Sequence, residues 1–448
     1  MKKLNFLPEN ESQKRREILE YFEESFDLYE ILFSTLTPDA FYTQPDSLRQ
    51  PLIFYYGHTA VFYINKLIAS KLHCRRVDAD YEEIFAVGVD EMSWDDDLTQ
   101  SIPKFKKIDI QSLKIYRNIV RSIVKFVITT MPLESPITQD SPAWVILMGI
   151  EHERIHLETS SVLFRQLPIT QLKWNNIFKI CPYTNNAPLN YLIPVSGGKI
   201  NLGKSENSDL YGWDNEYGNY TTKIADFEAS AYLVSNAEYY QFMQDGGYDP
   251  KYWSLEGQGF LKFLGSHKYP KFWIPKSDTY KYRTIFTEID MPWDWPVDVN
   301  CLEAEAFCNW KTIQMGKDIK LPTESQWNRL LEYAGYGQDS PDWSRAPGNI
   351  NLEYYSSATP VTQFKFLHGF YDIIGNVWQH TCTPITPFPG FKTHPLYHDF
   401  STPTFDDKHN LIKGGSFIST GNESTRDARY AFRRHFYQHA GFRYVSLK

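Results

Sequence analysis

Three histidines have the spacing and setting of a metal site. His152 and His156 lie four residues apart, and on an α-helix this spacing brings both imidazoles to one face, one turn apart. Such a pair is a ready set of ligands for a transition metal. His58 lies far upstream in an apolar, aromatic segment, where a buried polar ring needs a partner. Together the three residues predict a facial site of three imidazole nitrogens.

Two other interpretations of these residues remain open. The histidines could be satisfied inside the protein without any metal. Glu153 directly follows His152, so the letters also match the His-Glu-x2-His motif of zinc hydrolases. Three histidine ligands leave three coordination positions of a metal ion open. This arrangement suits iron(II) that binds two substrates and oxygen better than a structural zinc, whose coordination positions are all filled by the protein. Glu158, or Glu153, is expected to orient a ligand from the second layer around the metal.

Each histidine must be positioned by a helix. The helix of His152 is expected to begin at Pro142, after a cap at Asp140 or Ser141, and to end before Pro168. Three further segments show helical spacing of apolar residues: residues 11 to about 34, Pro51 to near Leu72, and about Gln111 to Thr130. Four long helices, each with one apolar stripe, predict a four-helix bundle over residues 1–170.

The third of these helices and the segment before it carry two smaller expectations. Residues 73–110 are mixed and acidic, and Asp95 or Asp96 could meet a substrate ammonium group, although a solvated acidic loop is the favoured interpretation. In the helix, the apolar residues at helical spacing are expected to face the core. They are Tyr116, Ile119, Val120, Ile123 and Val127.

Composition excludes several classes of function. With 448 residues, the chain is too long for one compact domain. A net charge of −8 without a long basic run argues against nucleic acid and anionic membranes as partners. Five cysteines form no C-x2-C pair, which favours free thiols in a reducing compartment. No signal peptide and no apolar run of membrane-spanning length appear, so we expect a soluble, cytoplasmic protein.

The second half of the sequence differs from the first in composition and in its pattern of apolar residues. Residues 171–194 are irregular and are interpreted as a linker, and from Val195 the chain has short strand patterns with many Gly and Trp. This part is expected to be α+β. Its distinctive phrases closely resemble the formylglycine-generating-enzyme-type domain, which has a C-type-lectin-like fold, over residues 195–448. Among these phrases are Ser196–Gly203, Tyr211–Glu216, Leu321–Trp327, Asp372–Trp378 and Ala440–Arg443.

One departure from that family concerns cysteine. Formylglycine-generating enzymes act through a cysteine pair late in the domain, and this chain has none after Lys413–Ser416. Cys301, Cys308 and Cys382 stand elsewhere and are expected to be buried small hydrophobic residues. Formylglycine generation is therefore not expected.

The combination of the two halves resembles the nonheme-iron sulfoxide synthases, in which a DinB-like bundle precedes this type of domain. The phrases Phe54–Phe62, Trp144–Ser161 and Arg433–Arg443 are similar to the ovothiol branch. That resemblance implies coupling of L-cysteine to L-histidine with O2, which gives 5-histidylcysteine sulfoxide. The alternative is the ergothioneine branch, which joins trimethylhistidine to cysteine or γ-glutamylcysteine. A remoter alternative is a ligand-binding protein without catalysis.

The resemblance also implies roles for individual residues. His58, His152 and His156 match the ligands of Fe(2+). Tyr397 is the candidate for the tyrosine that supports sulfoxide formation, and Arg433 is the candidate for holding the cysteine-donating substrate.

Several expectations accompany these roles. Tyr397 could instead simply fill an aromatic loop, and the nearby His394 and His398 are expected to be surface residues. Arg429 stands where the ergothioneine branch has an acidic residue, which suggests a different grip on the substrate. A separate methyltransferase and a separate sulfoxide lyase are expected to act downstream.

Overall fold

The chain forms two compact units. The computed structural model describes residues 4–6, 10–86, 105–336 and 346–447; Asp95 and Asp96 lie outside these residues. The first unit comprises Met1–Asn175, Asn207–Tyr211 and Thr393–Asp399. The second comprises Asn176–Glu206, Gly212–Lys392 and Phe400–Lys448. The first is helical and the second mixes helices and strands, so the α+β class predicted from the sequence is confirmed.

The first unit is built on four long helices. The long helices are α1 (Glu11–Ser34), α2 (Leu52–Ala69), α4 (Ile110–Thr130) and α5 (Pro142–Phe164). A short helix, α3 (Ala79–Ile84), follows α2. The side chains of Asn10 and Asp109 cap α1 and α4 by accepting hydrogen bonds from backbone N–H groups. Helices α4 and α5 each pack against both α1 and α2, which makes a four-helix bundle.

Helix α5 is the central rod of this bundle. Every residue from Ala143 to Phe164 except Ile155 is buried. Gly149 allows α2 to approach closely, because a Cβ at this position would lie 2.3 Å from the ring of Tyr63. The helix therefore presents polar side chains, including both of its histidines, to the interior of the bundle.

Helix α4 buries Tyr116, Val120 and Val127 as predicted, whereas two of the five expected core residues are not buried. Ile119 is 43% exposed and Ile123 is only half-buried. The buried side chains are Leu113, Tyr116, Arg117, Val120, Val124, Val127 and Ile128. The guanidinium of Arg117 reaches carboxylates inside the bundle. Arg117 therefore belongs to the buried face and Ile119 does not, which apolar periodicity alone does not reveal.

The second unit contains four sheets and four helices among the residues that the structure describes. One sheet has the order β1-β4-β13-β8 and another the order β11-β10-β9-β12, and a two-stranded β2-β3 and a three-stranded β5-β6-β7 sheet complete the set. The strands are β1 (Leu192–Val195), β2 (Gly198–Leu202), β3 (Tyr220–Ile224), β4 (Phe227–Ser230), β5 (Trp273–Pro275), β6 (Tyr280–Arg283), β7 (Glu288–Asp290), β8 (Ile319–Lys320), β9 (Trp378–Pro384), β10 (His409–Lys413), β11 (Tyr430–Arg433), β12 (Ala440–Gly441) and β13 (Val445–Leu447). The helices are α6 (Asn236–Gln244), α7 (Leu255–Leu264), α8 (Cys301–Met315) and α9 (Glu324–Tyr333).

The core of the second unit lies between α9 and the first of these sheets. Trp327, Leu330 and Leu331 of the helix pack there with Phe227 and Val445 from the strands.

Cys301 and Cys308 are buried as predicted, whereas Cys382 is exposed. Among the residues that the structure describes, no helix has both the length and the apolarity needed to cross a bilayer.

Candidate metal centre

The three histidines converge inside the first unit. His58 projects from α2, and His152 and His156 project from α5; all three are buried, with 6% or less of each residue exposed. One ring nitrogen from each lies within 4.8 Å of the others. His152 Nε2 and His156 Nε2 are 3.2 Å apart. Two nitrogen ligands at right angles on one ion, each about 2.1 Å from it, are about 3 Å apart, so this pair already has the spacing of neighbouring ligands.

A backbone carbonyl fixes the orientation of the His58 ring. His58 Nδ1 lies 2.6 Å from the carbonyl oxygen of Phe85. A carbonyl can only accept, so Nδ1 carries the hydrogen and Nε2 keeps its lone pair. Gly57 makes room for this contact, because a Cβ there would lie 2.7 Å from the Phe85 ring. The glycine before the histidine thus helps to set which nitrogen is available to a metal.

All three imidazoles are neutral at neutral pH. Burial lowers the pKa of His58 to about 4. Burial, and then the neighbouring histidines, hold the pKa values of His152 and His156 well below the ordinary value. A neutral imidazole is the form that binds a metal. The chemistry of this donor set therefore fits a divalent transition ion, and iron(II) is one that accepts three imidazoles and leaves positions open.

The carboxylate of Glu153 is hydrogen-bonded to side chains inside the bundle. Its Oε1 accepts hydrogen bonds from Arg117 Nη2 at 3.2 Å and Thr59 Oγ1 at 3.4 Å, and its Oε2 accepts one from the Tyr63 hydroxyl at 3.4 Å. Burial raises the pKa of Glu153 to about 7, although the Arg117 charge opposes this shift. The carboxylate that would act as the base in a zinc hydrolase is therefore engaged with another part of the fold.

Glu158 is buried on α5, two residues beyond His156. Two residues correspond to about 200° around a helix, so the two side chains leave the rod on different sides. Among the residues that the structure describes, none forms a hydrogen bond with Nδ1 of His152 or of His156. Orientation of a metal ligand by Glu158 stays a prediction.

Aromatic rings line the imidazole cluster. Phe62 stacks on His152 with ring centroids 3.7 Å apart and planes 8° apart. Phe54 stacks on His58 at 5.1 Å, and Tyr55 lies 6.0 Å from His156. These contacts restrict the imidazole rings and keep much of their surroundings apolar.

Tyr397 lies beside this cluster within the first unit. Its segment, Thr393–Asp399, is distant in sequence from the helices but belongs to the same compact unit. The Tyr397 ring is 5.0 Å from Phe62 and 6.1 Å from His152, centroid to centroid. The structure thus brings Tyr397 together with the three histidines, and its role in the reaction stays a prediction.

His394 differs from the sequence-based expectation. It is only 8% exposed, whereas the neighbouring His398 is exposed as predicted. His394 Nδ1 accepts a hydrogen bond from the Leu396 N–H, and Nε2 lies 3.3 Å from the carbonyl oxygen of Gln139. The segment folds back on itself and buries the ring, which the local sequence does not indicate.

Two arginines of interest belong to the second unit. Arg433 is half-buried at the end of β11 and pairs in register with His409 of β10; its role as a substrate ligand stays a prediction. Arg429 is buried, and its guanidinium donates to Glu324 and to the backbone carbonyls of Asn215 and Thr386. These contacts engage the guanidinium within the fold, and the different grip on the substrate that Arg429 suggested stays a prediction.

Sequence reasoning missed several residues of this centre. Phe62 and Lys66 follow His58 by four and eight residues, so all three share one face of α2. This spacing could have indicated from the sequence that Phe62 and Lys66 lie near the histidine. The Phe85 contact was not readable, because it is made by a backbone carbonyl that any residue type could supply.

A comparison with known proteins identifies the second unit. The family model described as "Sulfatase-modifying factor enzyme 1-like domain" matches residues 178–447. The chain belongs to this family. The match begins inside the predicted linker and reaches β13.

Relatives with curated names match this chain as well. It is similar to hercynine oxygenase of Mycolicibacterium smegmatis, with 30% identity over 295 residues that cover 62% of this chain and 66% of the relative. It is also similar to ergothioneine biosynthesis protein 1 of Schizosaccharomyces pombe, with 24% identity over 457 residues that cover 92% of this chain and 52% of the relative. The chain thus spans about half to two thirds of the length of these relatives. Among solved structures, PvdO from Pseudomonas aeruginosa aligns with a TM-score of 0.38 and 15% identity, over 57% of this chain and 94% of that chain.

Proposed function

We propose that this protein is an iron(II)- and O2-dependent sulfoxide synthase, which bonds the sulfur of a cysteine-type thiol to a carbon of an imidazole ring. The observation that carries this proposal is the cluster of three neutral imidazoles from two helices. Names of relatives, hercynine oxygenase and ergothioneine biosynthesis protein 1, support the same class of reaction.

The reaction balances with O2 as the oxidant. The thiol loses its S–H hydrogen, the imidazole carbon loses its C–H hydrogen, and a C–S bond forms between them. One oxygen atom of O2 becomes the sulfoxide oxygen, and the other leaves as water with the two hydrogens. The organic substrates lose four electrons, and O2 accepts four.

The residues of the chain have distinct roles in this proposal. His58, His152 and His156 would hold iron(II), which supplies the redox centre for the thiol and O2. Because three imidazoles leave other positions open, both substrates can be oriented at one place, which replaces a chance encounter by a local reaction. The hydroxyl of Tyr397 would donate a proton or hydrogen atom during sulfoxide formation. Arg433 would pair with a substrate carboxylate, for which its planar guanidinium is suited.

L-cysteine and L-histidine are the first candidate substrates, and 5-histidylcysteine sulfoxide is then the product. This product would have to be methylated and its sulfoxide cleaved to become ovothiol. A second candidate is hercynine, the trimethyl betaine of histidine, with cysteine or γ-glutamylcysteine as the thiol. The names of the curated relatives favour this second candidate.

The test is incubation of the iron(II)-loaded protein with O2, one thiol and one imidazole substrate, followed by mass spectrometry. Cysteine and γ-glutamylcysteine are each combined with histidine and hercynine. We expect a product with the mass of thiol plus imidazole substrate, less two hydrogens and plus one oxygen. A coupled product only from hercynine would transfer the assignment to the ergothioneine branch. No coupled product from any pair, despite bound iron, would contradict the proposal.

Tyr397→Phe tests the assigned tyrosine. It keeps the ring against Phe62 and removes only the hydroxyl, so iron binding should persist while the share of coupled sulfoxide falls. The share of the thiol's sulfinic acid, in which sulfur has taken up both oxygen atoms of O2, should rise. Tyr220→Phe, at an exposed position of the second unit, is the control and should leave the product ratio unchanged. An unchanged ratio in Tyr397→Phe would exclude this residue from the proton-donating role.

A further inference from the structure

Lys66 reaches from the helix of His58 to the segment of Tyr397. Its Nζ donates a hydrogen bond to the carbonyl oxygen of Leu396 at 2.5 Å. The same ammonium lies 4.2 Å from the centroid of the Tyr397 ring and 4.9 Å from that of Phe62. A lysine cation is attracted to the face of an aromatic ring, so one side chain contacts the segment through both its backbone and its ring.

His394 attaches the same segment at a second point. Its Nδ1 accepts from the Leu396 N–H at 3.2 Å, and its Nε2 lies 3.3 Å from the carbonyl oxygen of Gln139. These two contacts are satisfied together by one neutral tautomer, with the hydrogen on Nε2. Leu396 is thus held through its N–H by His394 and through its carbonyl by Lys66.

We propose that Lys66 is a positioning residue, which holds the Thr393–Asp399 segment so that Tyr397 stays against Phe62 and beside His152. This inference rests on the proposed function insofar as Tyr397 takes part in sulfoxide formation. The segment has no regular secondary structure between Thr393 and Asp399. Without a helix or a strand to fix its place, the segment is restrained by the side-chain contacts of Lys66 and His394.

The structural arm of the test measures hydrogen exchange in a peptide that spans Thr393–Asp399. Lys66→Met removes the ammonium but keeps most of the apolar stem, and we expect exchange in this peptide to accelerate at least about tenfold, as loss of a hydrogen bond from a charged donor predicts. Peptides of α5 should keep the wild-type rate, which shows that the bundle remains folded. Lys14→Met is the matched control, because Lys14 also donates to a backbone carbonyl, that of Asn5, in the same unit.

The functional arm measures iron content, KM and kcat separately. Lys66→Met should retain stoichiometric iron, because Lys66 is not a ligand of the proposed centre. The kcat for coupled product should fall about tenfold or more while the KM of the thiol changes much less, and the sulfinic acid of the thiol should increase. Lys66→Arg, which keeps a cation, should recover part of the coupled product. A residue that only stabilised the fold would not change the product ratio at constant iron content.

Each outcome decides the inference. Faster exchange in Thr393–Asp399 together with a shifted product ratio supports it. Unchanged exchange in Lys66→Met, or an equal effect of Lys14→Met on this peptide, overturns it. If Lys66→Met does not fold, His394→Ala releases the segment from its other anchor and should show the same two changes. If the wild type gives no coupled product, the proposed function fails, while the exchange experiment still decides whether Lys66 holds the segment.

Discussion

Each unit of this protein buries a polar cluster, and the two clusters are built on opposite principles. In the first unit, three imidazoles turn their nitrogen atoms towards one another, and no carboxylate of the described residues joins the cluster. In the second, Arg429 and Lys413 share the carboxylate of Glu324, and backbone carbonyls accept the remaining Arg429 donors. In the second cluster, two cations and one carboxylate are in contact, whereas the first gathers three neutral imidazoles around a single point.

This contrast separates a structural cluster from a binding centre. Buried charges are tolerated when they are paired and hydrogen-bonded, and the Arg429 cluster meets that condition within the protein. The imidazole nitrogens of the first cluster, two of them 3.2 Å apart, have the spacing that a shared cation requires. Changes in the first cluster should therefore affect metal binding and chemistry, and changes in the second should affect stability.

The largest effect is expected from removal of one imidazole of the triad. His152→Ala should reduce bound iron from stoichiometric to background and abolish turnover, because two ligands from different helices cannot hold the ion as three do. The control is His380→Ala, which removes a buried histidine of the second unit that contacts the Val299 carbonyl. Iron analysis should show full occupancy in the control. Stoichiometric iron in His152→Ala would contradict the interpretation of the three histidines as the metal-binding cluster.

The next effect concerns the charged cluster. Glu324→Gln leaves Arg429 and Lys413 buried without their carboxylate, which should lower the free energy of unfolding by about 3–5 kcal/mol. Glu11→Gln, in an exposed pair with Arg15, should change it by less than about 1 kcal/mol. Urea unfolding measures both. A loss of iron binding in folded Glu324→Gln would show that this cluster also serves the centre.

The pH dependence of stability gives a smaller effect in the second unit. Burial raises the pKa of Glu303 from the ordinary 4.5 to about 7. Between these values the unfolded chain releases the proton and the folded chain keeps it, so stability falls as pH rises from about 4.5 to about 7, by up to about 3 kcal/mol.

Glu303→Gln should flatten this part of the stability profile, since the amide does not titrate. Unfolding free energies at pH 5 and pH 8 measure the change. Glu206→Gln, at an exposed position, should keep the wild-type slope. A wild-type slope in Glu303→Gln would mean that other buried carboxyl groups carry it.

The smallest effect is expected for Arg433→Lys. Lysine keeps the charge but cannot make the bidentate contact of a guanidinium, so the KM of the thiol substrate should rise about tenfold, equivalent to about 1.4 kcal/mol, with kcat nearly constant. Steady-state kinetics check this. Arg434→Lys, at the neighbouring position that pairs with Glu256, should leave the KM unchanged. A fall in kcat alone would contradict a binding role for Arg433.

The helices could be predicted from the sequence because their signals are local. The expected span of α1 agrees with Glu11–Ser34, and α5 begins at Pro142 after Ser141 as predicted. Apolar periodicity and capping residues act over a few positions, so they can be read without knowledge of the tertiary fold. The shared face of His152 and His156 follows from the same local geometry.

The remaining features depend on contacts between distant parts of the chain. Arg117 faces inward to Glu153 while Ile119 is exposed, and the buried His394 contacts the distant Gln139 carbonyl. The placement of Thr393–Asp399 in the helical unit follows from contacts with α2. Spacing along one segment contains no information on such pairings, which is why the resemblance to a family could suggest Tyr397 but the sequence could not locate it.

The most direct test of the central claim is X-ray absorption of the anaerobic, iron(II)-loaded protein without substrate. We predict one iron per chain, with nitrogen and oxygen atoms in the first shell and the multiple-scattering pattern of about three imidazoles, reduced in His152→Ala. A first shell that contains sulfur, or one without imidazole scattering, would contradict the assignment of His58, His152 and His156 as the metal ligands.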